Sequence, residues 1–166
     1  MNCCSSDGHV ENAAAPPDAA RRCTICRSAS YHVSRKTILL MLKSELLDRV
    51  GEDAYRFCAD PNCRVVYCTE GAGACFTTDD LRVRVGLKEN DDPIPLCYCF
   101  GFDEHHAREE IARTGRCSLA QRISALIKQG MCACPERNPS GTCCLGEVNK
   151  AIERLLAART GTGQPG

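Results

Sequence analysis

The sequence predicts an α+β protein in which a small β-rich module precedes a module of short helices, and three observations predict it. Apolar residues alternate with polar ones through much of the first half. In the second half they recur at the helical interval. Between the halves the run "ENDDPIPL", acidic and broken by Pro93 and Pro95, interrupts any regular element. The expected divisions are a tail over residues 1–20, a first module over 21–92, a second over 93–159, and a closing tail over 160–166.

Residues 1–20 are rich in alanine, proline, serine and aspartate and bury too little apolar surface to order themselves. In "TILLMLKSELLDRV", Ile38, Leu42, Leu46 and Val50 fall at the helical interval, which predicts a broad-faced helix. "AYRFCADPNCRVVYC" reads as two strands joined by a turn through Asp60, Pro61 and Asn62. "GAGACF" reads as a turn, since it lacks the lysine and the strand-to-helix setting of a phosphate loop. "LRVRVGLK" sets Val83, Val85 and Leu87 against charged neighbours, which predicts a further half-buried strand. Asp103 is the expected N-cap of "EHHAREEIAR", closed by Gly115; Ser118 is that of "LAQRISALIKQ", closed by Gly130. After the loop "MCACPERNPSGTCC", a third helix, "LGEVNKAIERLLAAR", carries Leu145, Val148, Ile152 and Leu155 or Leu156 on one face.

The unusual feature is cysteine. The 166 residues include 15 cysteines but only four tyrosines, four phenylalanines and no tryptophan. A chain this short in bulky apolar residues usually leans on metals or disulfides. The N-terminus has no apolar segment of the secretory kind, and no apolar run approaches the ~18 residues that a membrane span requires. A cytoplasmic location is therefore expected, where clustered cysteines serve metals or redox chemistry more often than structural disulfides. Lysine plus arginine equals aspartate plus glutamate at 21 each, so nothing points to nucleic acid or to an anionic membrane.

Two constellations follow. Cys23 and Cys26 in "CTIC" with Cys58 and Cys63 in "CADPNC" supply the four ligands of a tetrahedral zinc site as two paired knuckles. The competing reading, that some are small buried hydrophobes, explains the pairing less well. In the second, Cys97 and Cys99 stand one residue apart before a helix start, too close for a comfortable disulfide. They are joined by Cys132, Cys134, Cys143 and Cys144, so six cysteines compete for four positions. A [2Fe-2S] cluster takes four thiolates and is an anion that helix starts and loop amides satisfy; zinc is the rival occupant. Cys144, four residues before Val148, falls on the inward face of its helix and is preferred over Cys143. Between Cys132 and Cys134 the pattern does not choose.

The order "CTIC", "YRFCADPNCRVVYC", "LRVRVGLKENDDPIPLCYCFGF", "CACPERNPSGTCC" resembles the zinc and [2Fe-2S] domain of CopZ-type copper chaperones over about residues 22–150. The second half is similar to bacterioferritin-associated ferredoxin domains. The resemblance implies cluster ligands at Cys97, Cys99, Cys134 and Cys144, with Cys132 and Cys143 as alternates, and a zinc site among Cys23, Cys26, Cys58 and Cys63. It also implies a role in copper or soft-metal homeostasis, partnered by soft metal ions and a metal-transport protein, with the cluster a one-electron reductant. Full chaperones of that type add a heavy-metal domain with a G-M-x-C-x-x-C loop. No such loop occurs in this sequence, so delivery by the usual route is not expected.

Two further readings stand beside this one. Cys3, Cys4, Cys68, Cys75 and Cys117 could capture Cu(I) directly, His9 lying near the first two, because soft thiolates select that ion. The chain could instead be a colourless zinc protein that only binds partners. An enzyme is not expected: His105 and His106 sit where solvated helix-surface residues are common, and His32 and His9 have no evident catalytic partner.

Overall fold

A computed structural model describes residues 22–71 and 73–161; Cys3, Cys4 and His9 lie outside them. The class is α+β. Four antiparallel strands, β1 (Ser30–Val33), β2 (Tyr55–Cys58), β3 (Val65–Thr69) and β4 (Cys75–Thr77), form a sheet in that order. Helix α1 (Arg35–Met41) begins at Ser34, whose hydroxyl accepts the amide of Thr37. β3 is buried throughout. It sends Val66 and Tyr67 to a core with Val33, Ile38, Leu42, Tyr55, Phe57 and Phe76. Val65 and Cys68 go instead to a sulfur-rich cluster with Cys23 and Cys58.

In the second half, β5 (Pro95–Cys97) and β6 (Phe102–Asp103) form a hairpin, followed by α2 (Glu104–Thr114), α3 (Leu119–Lys128), α4 (Cys134–Arg137) and α5 (Leu145–Gly161). Asp103 caps α2 by accepting the amide of His106, while the His106 ring turns back to Asp103. Gly115 ends that helix with a φ of 75°, a left-handed conformation that glycine adopts without penalty. Leu96, Ala107, Leu119, Ile123, Val148 and Ile152 make a second core. Glu104 is buried beside it and is neutralised by Arg154 and, at 3.7 Å, by Arg108.

Three expectations for the first half are corrected, and in the second half Pro95 opens β5 while the segment read as a loop before the last helix contains α4. The first helix stops at Met41: Leu42 turns extended with ψ 150° and bridges to Leu81, and the chain resumes as a 3-10 turn over Ser44–Arg49. The helical spacing of Leu46 and Val50 continues in sequence without a continuous helix. "LRVRVGLK" is no strand. Arg82 bends there to cap α1, its guanidinium donating to the Leu42 carbonyl, and Gly86–Lys88 closes as a 3-10 turn, so Val85 reaches the core without a ladder partner. Conversely, Cys75 and Phe76, read as part of a turn, lie on β4, because Phe76 has a fully buried site in the first core.

The two halves are locked together. The buried Tyr67 hydroxyl donates to the Pro139 carbonyl at 2.7 Å, and the Thr37 hydroxyl to the Pro135 carbonyl. The loop carrying Cys134 and Cys144 thus rests on α1 and β3. Gly86 runs so close to β5 that an added Cβ would lie 1.9 Å from the Pro95 carbonyl oxygen. No helix among the described residues is long and apolar enough to cross a membrane.

Candidate metal centres

The first knuckle is a closed loop before β1. The Cys23 amide donates to Ser28 O at 2.8 Å, the Arg27 amide returns to Cys23 O at 3.0 Å, and Arg27 takes a φ of 64° to make the turn. The second is the β2–β3 connection, where Asp60 Oδ1 accepts the Asn62 amide at 2.9 Å and Asp60 O accepts that of Cys63 at 3.3 Å. Several contacts tie the knuckles together: Ser28 Oγ donates to Asp60 Oδ2 at 2.7 Å, the Ala59 amide donates to Ala29 O at 3.2 Å, and Cys26 Sγ lies 3.6 Å from Cys58 Sγ. As a result the sulfurs of Cys23, Cys26, Cys58 and Cys63 all lie within 4.8 Å of one another. Four sulfurs around one point is the arrangement a tetrahedral zinc ion requires.

The surroundings favour ionisation at one sulfur and oppose it at two. Burial opposes ionisation of Cys26, but hydrogen bonds from Ser28, Cys58 and Cys23 outweigh it and bring that thiol down to about 7. Burial pushes Cys58 and Cys63 up. Lys88 Nζ donates to Asp60 O at 2.6 Å and Cys63 O at 3.0 Å, placing a cation behind the second knuckle. The sequence marks Asp60 only as a turn residue within "ADPN" and gives Ser28 and Lys88 no signal.

The second group forms around the β5–β6 turn and the two ends of the loop 134–144. Cys97 ends β5 and Cys99 lies in the turn after it; Cys134 opens α4, and Cys144 stands just before α5, whose first helical bond its carbonyl accepts from Val148 at 3.0 Å. Cys99 Sγ is 3.7 Å from Cys134 Sγ, and the Cys144 thiol interacts with both Cys134 and Cys97. The four thus lie together, Cys144 beside Cys97 and Cys134, and Cys134 beside Cys99. Backbone amides feed it: Ala133 N donates to Cys99 Sγ at 3.3 Å, Cys144 to Cys134, and Phe100 and Cys99 to Cys97. The contact with Cys144 lowers Cys97 to about 7 and Cys134 to about 5, whereas burial raises Cys99 to about 12. Among the alternates, Cys132 hydrogen-bonds Cys134 from the half-buried approach to α4, and Cys143 is half-buried facing a groove with Tyr31 and Leu87.

Of the cysteines left over, Cys117 is a half-buried thiol beside Glu110. Cys68 and Cys75 are not the free thiolates expected from sequence: they are joined as a disulfide across β3 and β4. Their register as direct partners on adjacent strands, with Cα atoms 4.2 Å apart, brings them together, and the sequence did not reveal β4. His105 and His106 are exposed, as expected, and His106 serves the cap of α2.

Comparison with known proteins bears on the first centre and on the fold. Residues 20–82 match the family model of a CopZ zinc binding domain. The chain is similar to the copper chaperone CopZ of Archaeoglobus fulgidus, 33% identical over 123 residues, which cover 74% of this chain and 57% of that protein. Little more than half the length of that relative is therefore spanned. The fold is similar to the X-ray structure of the Archaeoglobus fulgidus CopZ N-terminal domain, with a TM-score of 0.64 and 28% identity over 78% of this chain and 95% of that one.

Proposed function

With residues 20–82 matching a CopZ zinc binding domain and the fold that of a CopZ N-terminal domain, we propose that this chain is a non-enzymatic metal-handling protein of copper or soft-metal homeostasis. It would hold zinc at Cys23, Cys26, Cys58 and Cys63 and a [2Fe-2S] cluster at Cys97, Cys99, Cys134 and Cys144.

The observation that carries the reading is the difference in shape between the two sulfur groups. The first converges on one point. The second is more spread out: Cys99 and Cys134 Sγ lie 3.7 Å apart with Cys144 beside Cys134 and Cys97, and the four ligand atoms do not all fall within 4.8 Å of one another. One ion needs the former; a binuclear cluster, which shares four thiolates between two irons, suits the latter. Donation from Ala133, Cys144, Phe100 and Cys99 amides supports the choice, since the cluster is anionic and gains a further negative charge on reduction. When bound, such a cluster supplies one electron at a time. The chain's own part is to fix the thiolates, bury Cys97, Cys134 and Cys144, and keep Cys99 at the more open side.

The test is the visible spectrum and the metal content of protein purified without oxygen. The expected result is one zinc and two irons per chain, with sulfide-to-iron absorption that bleaches with dithionite. Cys134→Ser and Cys144→Ser should abolish the colour, and Cys132→Ser and Cys143→Ser should leave it. A colourless protein that takes up no iron on anaerobic reconstitution would overturn the cluster and with it electron transfer.

A further inference from the structure

The Cys68–Cys75 pair is used by neither centre, yet it lies against the first one. Both sulfurs pack in the same cluster as Cys23, Cys26, Cys58 and Cys63. The Thr24 hydroxyl, between Cys23 and Cys26 in the knuckle, donates to Cys68 Sγ at 3.2 Å and is 3.6 Å from Cys75 Sγ. A cavity of about 140 Å³, lined by Cys23, Thr24, Cys58 and Cys68, opens beside the pair, and Cys75 is half-buried on an edge strand.

We propose that Cys68 and Cys75, once reduced, form a two-thiolate site for one Cu(I) ion beside the four-cysteine centre. The proposal rests on the preceding reading for the choice of ion and for the reduced state of the thiols. Eleven cysteines among the described residues are free, and both centres need thiolates. On that reading the chain works where thiols stay reduced, and there a disulfide whose Cys75 sulfur is only half-buried on an edge strand is open to exchange with a small thiol. A low-molecular-weight thiol is the reductant. The S–S bond breaks, each sulfur takes one proton, and two molecules of the reductant are oxidised to one disulfide.

The two thiols stay neighbours afterwards, because the ladder and not the bond places them: Val65 pairs with Thr77, Cys68 with Cys75, and the Thr69 amide donates to Ala74 O at 3.2 Å. Cu(I) then forms two Cu–S bonds, and both thiol protons pass to solvent without change in the copper oxidation state. Two thiolates fall short of the four ligands that zinc takes, whereas soft thiolates favour Cu(I). The resulting copper dithiolate carries one negative charge. Arg22, Arg27 and Arg56 line the cavity against one carboxylate, Glu70, and offset it.

The experiment is a competitive titration of the full-length, metal-loaded protein with Cu(I), held by a chromophoric Cu(I) chelator, before and after mild reduction by a thiol. Zinc and iron are measured on the same samples, so that loss of either centre is read separately from copper uptake. The reduced wild type should take one equivalent more than its oxidised form and one more than Cys68→Ser/Cys75→Ser, with zinc retained. In reduced wild type, Cu(I) should also protect Cys68 and Cys75 from alkylation, which requires no folded variant. Equal uptake before and after reduction, unprotected Cys68 and Cys75, or copper entering only as zinc leaves would each overturn the proposal.

Discussion

At the scale of single residues, the first centre depends on a group that is not a ligand. Asp60 holds its own turn through Asn62 and Cys63, receives Ser28 from the opposite knuckle, and offers its carbonyl to Lys88. The Ser28 hydrogen bond, with the Asn62 amide, keeps its carboxyl below the usual range, so it is ionised wherever the thiolates are. Asp60→Ala should therefore weaken zinc binding by about 10-fold or more, the usual cost of losing an outer partner of a metal ligand. Competition with a zinc-sensitive dye measures it, and unchanged affinity would show that the knuckles need no tie. The grouping of Cys23 and Cys26 with Cys58 and Cys63 was legible in their spacing, because knuckle loops are local and short. Asp60 was not, since a turn aspartate looks the same whether its second oxygen faces water or a serine thirty-two residues away. The same limit hid the bond between Cys68 and Cys75, which depends on the register of a strand that the sequence did not disclose.

At the scale of elements, the segment before β5 shows how packing overrides pattern. Val83, Val85 and Leu87 alternate as a strand would, but Arg82 and Arg84 spend their guanidiniums on the Leu42 carbonyl and on Glu89. The chain then curls over Gly86–Lys88 instead of pairing. Gly86 makes this fit: its amide donates to the Tyr98 hydroxyl at 2.8 Å, and no side chain fits against Pro95. Gly86→Ala must push β5 away, and with it Cys97 and the turn holding Tyr98 and Cys99. The expected outcome is protein that keeps its zinc and loses most of its iron, read by metal analysis; full iron content would show that β5 can yield without harm. The helices of the second half were more legible, because Asp103, Gly115 and Gly130 are local stop and start signals that tertiary contacts had no reason to override. The helix at residue 37 was less so: its apolar spacing runs on past Leu42, where the bridge to Leu81 breaks it.

At the scale of the whole molecule, the two centres share a wall. The loop from Cys134 to Cys144 is held to the first half by Tyr67 and Thr37, and Val33 lies 3.4 Å from where a Gly141 Cβ would be. Tyr67→Phe leaves the buried Pro139 carbonyl without its donor, a loss of about 1–3 kcal/mol. It should lower the thermal midpoint and speed bleaching of the second centre by an iron chelator, while the sulfur ligands stay untouched. Unchanged bleaching would separate the halves energetically. The sequence predicted a division at "ENDDPIPL" and gave no sign of this seam, since a tyrosine bonded to a carbonyl seventy-two residues on leaves no local trace. The seam also has a direction in time. A chain made from its N-terminus has extruded α1, β3 and the first four metal-type cysteines before Cys134 leaves the ribosome, and domains tend to fold in that order. The surface on which the second loop settles is therefore ready first, and a metal group held by that loop would enter a chain whose first half has already taken shape.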